Sequence, residues 1–198
     1  MVGCRATSSL SLDVERIRRR LRLGRRTVLG RRDDSQLRFA STLTVPPGTG
    51  LLLDTCVYID GAADRLPRSV AELLLARLAS HSSVCIGELT FGLGVMAPEN
   101  PRTKANSAVV ADIVEQIAAS TRIVEPDAET WATAGMLAGI VARLQRYTTG
   151  DRRRAFADAL ILASALKAGL IVLTANIADF DPLQQLLPDA GVAFYRPV

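Results

Sequence analysis

The sequence has a single histidine, His81, set among serines, and three cysteines, Cys4, Cys56 and Cys85, with no C-x-x-C or Cys/His spacing among them. That leaves little material for a Ser/His/Asp relay, a His-ligated metal, a structural zinc or a disulfide framework. Such cysteine usage suits a reducing compartment, so a cytoplasmic protein is expected. Long uncharged runs are missing too. The most apolar stretch, residues 155–175, carries Asp158 and Lys167 and falls short of the roughly 18 uncharged residues a membrane-spanning helix needs. No membrane association is expected.

What is present is aliphatic bulk and carboxylate. A chain of 198 residues, 48% hydrophobic and 22% charged, can bury one sizeable core, which excludes disorder of the whole chain. With histidine and cysteine chemistry set aside, any catalysis must rest on Asp and Glu.

Charge divides the chain. Residues 1–48 hold eleven arginines against Asp13, Glu15, Asp33 and Asp34, a net +7 that leaves −3 for the remainder of a chain whose total is +4. The first part, residues 1–48, is a basic, Arg-rich N-terminal arm ending at Pro46, Pro47 and Gly48, with a composition open to disorder; residues 49–198 form the domain proper. Within the arm, residues 10–23 are expected to be helical, with Leu10, Val14, Ile17 and Leu21 on one stripe and arginines opposite. That face suits an acidic partner or nucleic acid. A transit-peptide-like start or a solvated tail fits the same composition.

Beyond residue 49, short apolar runs alternate with helical patterns. Strands are expected at 51–54, 84–86, 122–124, 170–174 and 192–194. After a loop following the first strand, Ser69 and Glu72 read as a capping box for a helix to about Ala79; further helices begin at Gly87, follow Pro98 and Pro101 through Ala105, Val109, Ile113 and Ile117, start after Asp127, and end at Gly169. The expected fold is α/β, three layers, with a mostly parallel sheet of four to five strands and helices on both faces.

In such sheets ligands bind beyond the carboxyl ends of the strands. Asp54 closes the first strand, Glu88 follows the second by two residues, and Asn176 and Asp179 follow the 170–174 strand. Asp158 stands on an otherwise apolar helix pattern, AFADALILASAL. Each acid alone also has a structural use as a helix cap, first-turn charge or Asx-turn. Together, ionised carboxylates about 4 Å apart repel by about 4 kcal/mol per pair at an effective dielectric of 20, so a converging set takes up protons or a cation. Oxygen-only ligands select Mg²⁺ or Mn²⁺, and phosphodiester hydrolysis is the matching reaction. Arg152, Arg153 and Arg154, leading into the Asp158 helix, are candidates for gripping a nucleic-acid backbone, although a solvated charge run has the same appearance. Tyr58 and Phe91 can stack on bases or simply pack.

In order, LLLDTCVYID, IGELTFG and FADALILASALKAGLIVLTANIADF resemble the acidic motifs of PIN-domain ribonucleases, especially the VapC-type toxins of bacterial toxin–antitoxin pairs, over about residues 50–198. The resemblance implies a PIN-like fold and a Mg²⁺-dependent endoribonuclease in which Asp54, Glu88, Asp158 and Asp179 are catalytic, with Asp54, Asp158 and Asp179 toward the metal. It also implies supporting roles for Thr55 and Asn176, a homodimer, and silencing by a cognate antitoxin. The arm has no counterpart in the short toxins of that family. Two other functions remain as alternatives. A non-catalytic RNA-binding or partner-binding module fits the same fold. An aspartyl-phosphate phosphatase fits poorly, because its DxDx[TV] pattern needs an acid where Cys56 stands.

Overall fold

The computed structural model describes residues 12–44, 46, 48–97, 99, 100 and 103–198, and for Thr149 and Asp151 the backbone alone. Leu10, Cys4, Pro47, Pro98 and Pro101, used above as sequence signals, lie outside the described residues. Five strands, β1 (Leu51–Leu53), β2 (Ala79–Ser82), β3 (Ile123–Val124), β4 (Ile171–Thr174) and β5 (Gly191–Phe194), form one sheet in the order β3-β2-β1-β4-β5. Every pairing is parallel. The α/β expectation holds, and the sheet is wholly parallel.

Parallel strands need crossovers, and the crossovers cover both faces. Because successive side chains alternate between faces, Leu52, Val172, Val192 and Phe194 join one core, while Leu51, Leu53, Ile171, Leu173 and Ala193 join the other. The larger core is built by α6 (Ala128–Gln145), α7 (Thr149–Ala168) and α8 (Ile177–Leu186); the smaller takes Val57 from α2 (Thr55–Ala62) and Val70 from α3 (Arg68–Ala76). Asp127 caps α6 as expected, accepting from the Thr130 N–H at 3.0 Å. Gly169, at φ +67°, ends α7 in the left-handed conformation that only glycine adopts freely. The remaining helices are α4 (Ser83–Val95) and α5 (Thr103–Ala118).

Four local expectations are corrected. Residues 84–86 are not a strand but the first turn of α4, because the Ser82 hydroxyl accepts the Val84 N–H and starts the helix at once. A short buried apolar run fits either periodicity; the true strand is the polar ASHS before it. The segment after β1 is helix α2 rather than a loop, since Asp54 caps it directly. Ser69 and Glu72 form no capping box: α3 starts after Pro67, whose fixed φ suits a helix entrance, and Glu72 instead accepts from Arg68 at 2.8 Å. Finally, the 10–23 helix is described as α1 (Val14–Arg20), with Ile17 and Leu21 buried but Val14 exposed.

The described residues before β1 lie against the domain. Ile17, Leu21, Leu29 and Leu37 enter the larger core. Phe39 bridges to Phe194 in parallel, and the Phe194 N–H donates to the Arg38 carbonyl at 2.8 Å, so this segment covers the outer edge of β5. Arg32 reaches the fully buried Asp181, donating from its backbone N–H at 2.8 Å and from Nε at 2.5 Å. Among the described residues no helix is long and apolar enough to cross a membrane.

Candidate active site

The sheet aims its polar residues at one edge. Asp54 leaves the C-terminal end of β1 and serves as N-cap of α2, only 4% exposed. Three donors fix its carboxylate: the Thr55 N–H at 2.8 Å on Oδ1, and on Oδ2 the Thr174 hydroxyl at 2.6 Å and the Cys56 thiol at 3.1 Å. Burial and the adjacent Asp54 push the Cys56 thiol up to about 12, so it stays protonated and able to donate. Thr55 turns its own hydroxyl to Glu88 Oε2 at 2.5 Å, tying α4 to the start of α2. Glu88 therefore reaches the site from the second turn of α4, six residues after β2, rather than from a strand exit.

Asp179 enters from the first turn of α8. Asn176, the N-cap of that helix, donates to its Oδ2 at 3.0 Å, and the Tyr147 hydroxyl donates to its Oδ1 at 3.4 Å. Asp158, 6% exposed on α7, completes the group. No hydrogen bond from a described residue reaches its carboxylate. Burial first, then the charges of Asp54, Asp179 and Glu88, hold its pKa well above the usual carboxylate range, and Arg154 alone pulls the other way. Burial likewise raises Asp54 against its three hydrogen bonds, with Asp179 adding to the rise, and burial raises Glu88. Asp158 thus sits in the field of the other three acids.

Of the other residues singled out in the sequence, Arg152, Arg153 and Arg154 are exposed on α7. The Arg153 guanidinium lies 3.8 Å over the Phe91 ring. Arg153 and Arg154 border a groove of about 620 Å³ that also contains Glu88, Phe91 and Trp131. Tyr58 hydrogen-bonds His81 Nδ1 at 2.8 Å and is tied into the fold. Thr174, Cys56 and Tyr147 were not marked by sequence reasoning. Thr174 carried a usable signal, a polar residue closing an apolar strand as Asp54 does; the other two carried none.

The donor set is carboxylate, hydroxyl and amide oxygen, which suits a hard divalent cation. Among the described residues no group of three or more His, Cys, Asp or Glu is arranged to hold a metal ion. Mg²⁺ asks for less: one or two carboxylates, with water and substrate oxygens completing the octahedron. Asp54 and Asp158 meet that requirement, being buried, mutually repelling and short of cationic partners.

This electrostatics has a measurable sign. The folded-state pKa values of Asp54 and Asp158 lie above those of an unfolded chain, so the stability they allow is fully present below about pH 4 and is lost as pH rises through the raised values. Urea unfolding in chelator is expected to show a wild-type curve that falls, relative to that of Asp158→Asn, as pH rises above about 4. Saturating Mg²⁺ should remove the difference by binding the folded state. Parallel curves in chelator would show that Asp158 is not strained by its neighbours.

A model of the PIN domain matches residues 51–181. FitAcB from Neisseria gonorrhoeae is similar at 25% identity and a TM-score of 0.50, over 72% of this chain and 96% of that one. DNA-bound VapBC from Salmonella typhimurium is similar at 20% identity and a TM-score of 0.48, over 74% and 98%. VapBC2 from Rickettsia felis, bound to a DNA fragment from the promoter, is similar at 15% and 0.49, over 73% and 98%. No curated protein matches the chain. With the family model spanning β1 to the middle of α8 and taking in all four acids, this chain belongs to the PIN domain family.

Proposed function

We propose that this chain is a Mg²⁺-dependent endoribonuclease, with Mn²⁺ as a substitute ion, acting in the cytoplasm as the toxin of a type II toxin–antitoxin pair. The observation that carries the proposal is Asp158: a carboxylate buried on an apolar helix, without a hydrogen bond from the described residues, whose strongest charged neighbours are three other acids. A group so placed costs stability unless a cation joins it. When bound, the divalent ion supplies charge neutralisation at the scissile phosphate and a more acidic water.

The chain's own residues do the rest. Thr174, Cys56 and the Thr55 N–H lock the orientation of Asp54, so one of the two metal-facing carboxylates needs no reorganisation. Glu88 and Asp179, half-buried at the rim, are the groups free to orient the attacking water and accept its proton, each steadied by a hydroxyl, that of Thr55 or Tyr147. Arg153 and Arg154 border the groove that contains Glu88, and with the exposed Arg152 they offset the repulsion between phosphate and carboxylate. Residues 49–198 form the nuclease unit, a homodimer is its assembly, and an antitoxin covers its acidic edge; these rest on the family resemblance of the motifs.

The test is cleavage of a mixed RNA pool by purified protein with Mg²⁺ or Mn²⁺, stopped by chelator. RNA binding without cleavage under either metal would make the chain a binding module instead.

A further inference from the structure

Two aromatic rings stand outside both cores. Trp131, in the first turn of α6, and Phe91, in the third turn of α4, are each 48% exposed, and neither packs against either cluster of buried residues. Single exposed apolar residues are ordinary on a protein surface, but these two line one groove, the one of about 620 Å³ that also contains Glu88, Arg153 and Arg154.

Helix periodicity builds this groove. The α7 helix packs against both α4 and α6. Arg153, Phe156, Ala157 and Leu160 are spaced i, i+3, i+4, i+7 and make one stripe of α7; Val84, Gly87, Glu88 and Phe91 repeat that spacing on α4. Gly87 keeps the α4 wall open, since a Cβ there would meet no neighbouring element within 4 Å. Both rings are held in place. Phe156 backs the Trp131 ring at a centroid distance of 5.6 Å, and the Arg153 guanidinium covers Phe91 at 3.8 Å. The groove is therefore apolar along the α7 stripe, cationic where Arg153 and Arg154 border it, and joined to the acid cluster through Glu88.

We propose that this groove receives unpaired bases of the RNA, stacked on Trp131 and on the Phe91–Arg153 pair, beside the phosphate that the acids address. The inference rests on the chain acting on RNA, and it names the residues that hold the bases. A nucleotide is charged on its backbone side and flat and apolar on its base, so it uses the arginines and the rings together. An apolar peptide would fill the groove without engaging Arg153 and Arg154 as cations, and an acidic peptide would engage them without needing two open rings. Stacking reads no hydrogen-bonding edge, so the site accepts any base.

Trp131 is the only tryptophan of the chain, which makes its emission a reporter of this one position. The test is titration of the full chain with a short oligoadenylate in chelator, so that nothing is cleaved, followed by tryptophan fluorescence and, with a labelled oligomer, by anisotropy over a range of salt. Oligoadenylate is expected to quench Trp131, whereas inorganic polyphosphate of matched charge should not. Trp131→Ala and Phe91→Ala should each bind about tenfold more weakly at an unchanged salt slope, because a stacking surface is lost and no charge. Trp131→Phe should restore most of the affinity. Arg153→Ala should also weaken binding, with a slope shallower by about 0.7, the value for one single-strand phosphate no longer neutralised. Thermal midpoints check that the variants fold, and the wild-type quench needs no variant. Bound oligoadenylate that leaves Trp131 emission unchanged overturns the proposal, as does wild-type affinity in Trp131→Ala. Quenching by an amphipathic apolar peptide but not by oligoadenylate overturns it in favour of a protein partner. Quenching by oligoadenylate in a chain that cleaves no RNA under Mg²⁺ or Mn²⁺ supports the base site while refuting the nuclease.

Discussion

Asp158→Asn is expected to lower metal-dependent RNA cleavage by about a thousandfold while leaving the metal-free fold about 0.5–2 kcal/mol more stable. The two effects have one cause. The Asp158 carboxylate is buried, lacks a hydrogen bond from the described residues and faces Asp54, Asp179 and Glu88. An amide of the same shape removes the repulsion and with it the affinity for a divalent ion. A purely structural acid would behave in the opposite way, since loss of a carboxylate that holds the fold together lowers stability. Asp54→Asn should share the loss of cleavage with a smaller gain in stability, because the Thr55, Cys56 and Thr174 donors are set for an anionic acceptor. RNA cleavage and urea unfolding on the same preparations check both. Retained cleavage in the two variants would remove the acid cluster from the reaction.

Arg32→Ala is expected to cost about 3–5 kcal/mol, the range for stripping one partner from a buried ion pair. Asp181 is fully buried and receives both the backbone and the side chain of Arg32, and the same guanidinium donates to Gln184 at 2.5 Å. Without it, a buried carboxylate keeps one backbone donor and the segment carrying Leu29 and Leu37 loses its side-chain bonds to Asp181 and Gln184. Arg196→Ala, which breaks an exposed, solvent-screened pair with Asp34, should leave stability almost unchanged. Urea unfolding measures both, and limited trypsin digestion adds a local readout, with cleavage in the 22–26 loop expected to accelerate only in Arg32→Ala. Equal stabilities for the two variants would show that residues before β1 contribute little to the fold.

The features legible in the sequence are those that depend on neighbours in the chain. The apolar β4 run, the Asp127 cap and the Gly169 stop each follow from local periodicity or backbone preference, and all three appear where expected. Asp158 was visible because one charge interrupts an apolar helix pattern. The second strand was not, because β2 is ASHS, a polar sequence held in the sheet by backbone pairing with β1 and β3. The apolar residues after it belong to a helix whose start is set by the Ser82 hydroxyl.

By itself, then, the sequence determined the class of fold and the order in which acids are delivered to one edge, since strand and helix periodicity and single interrupting charges are properties of short windows. Only the tertiary structure decided the neighbours: Thr174 and Cys56 on Asp54, Tyr147 on Asp179, and Arg32 on Asp181, a pair 149 residues apart. It also decided that the basic segment lies on the domain with its loop clamped by Arg143. These are contacts between side chains distant in the chain, whose energies depend on burial and approach, and neither quantity exists until the chain has closed on itself.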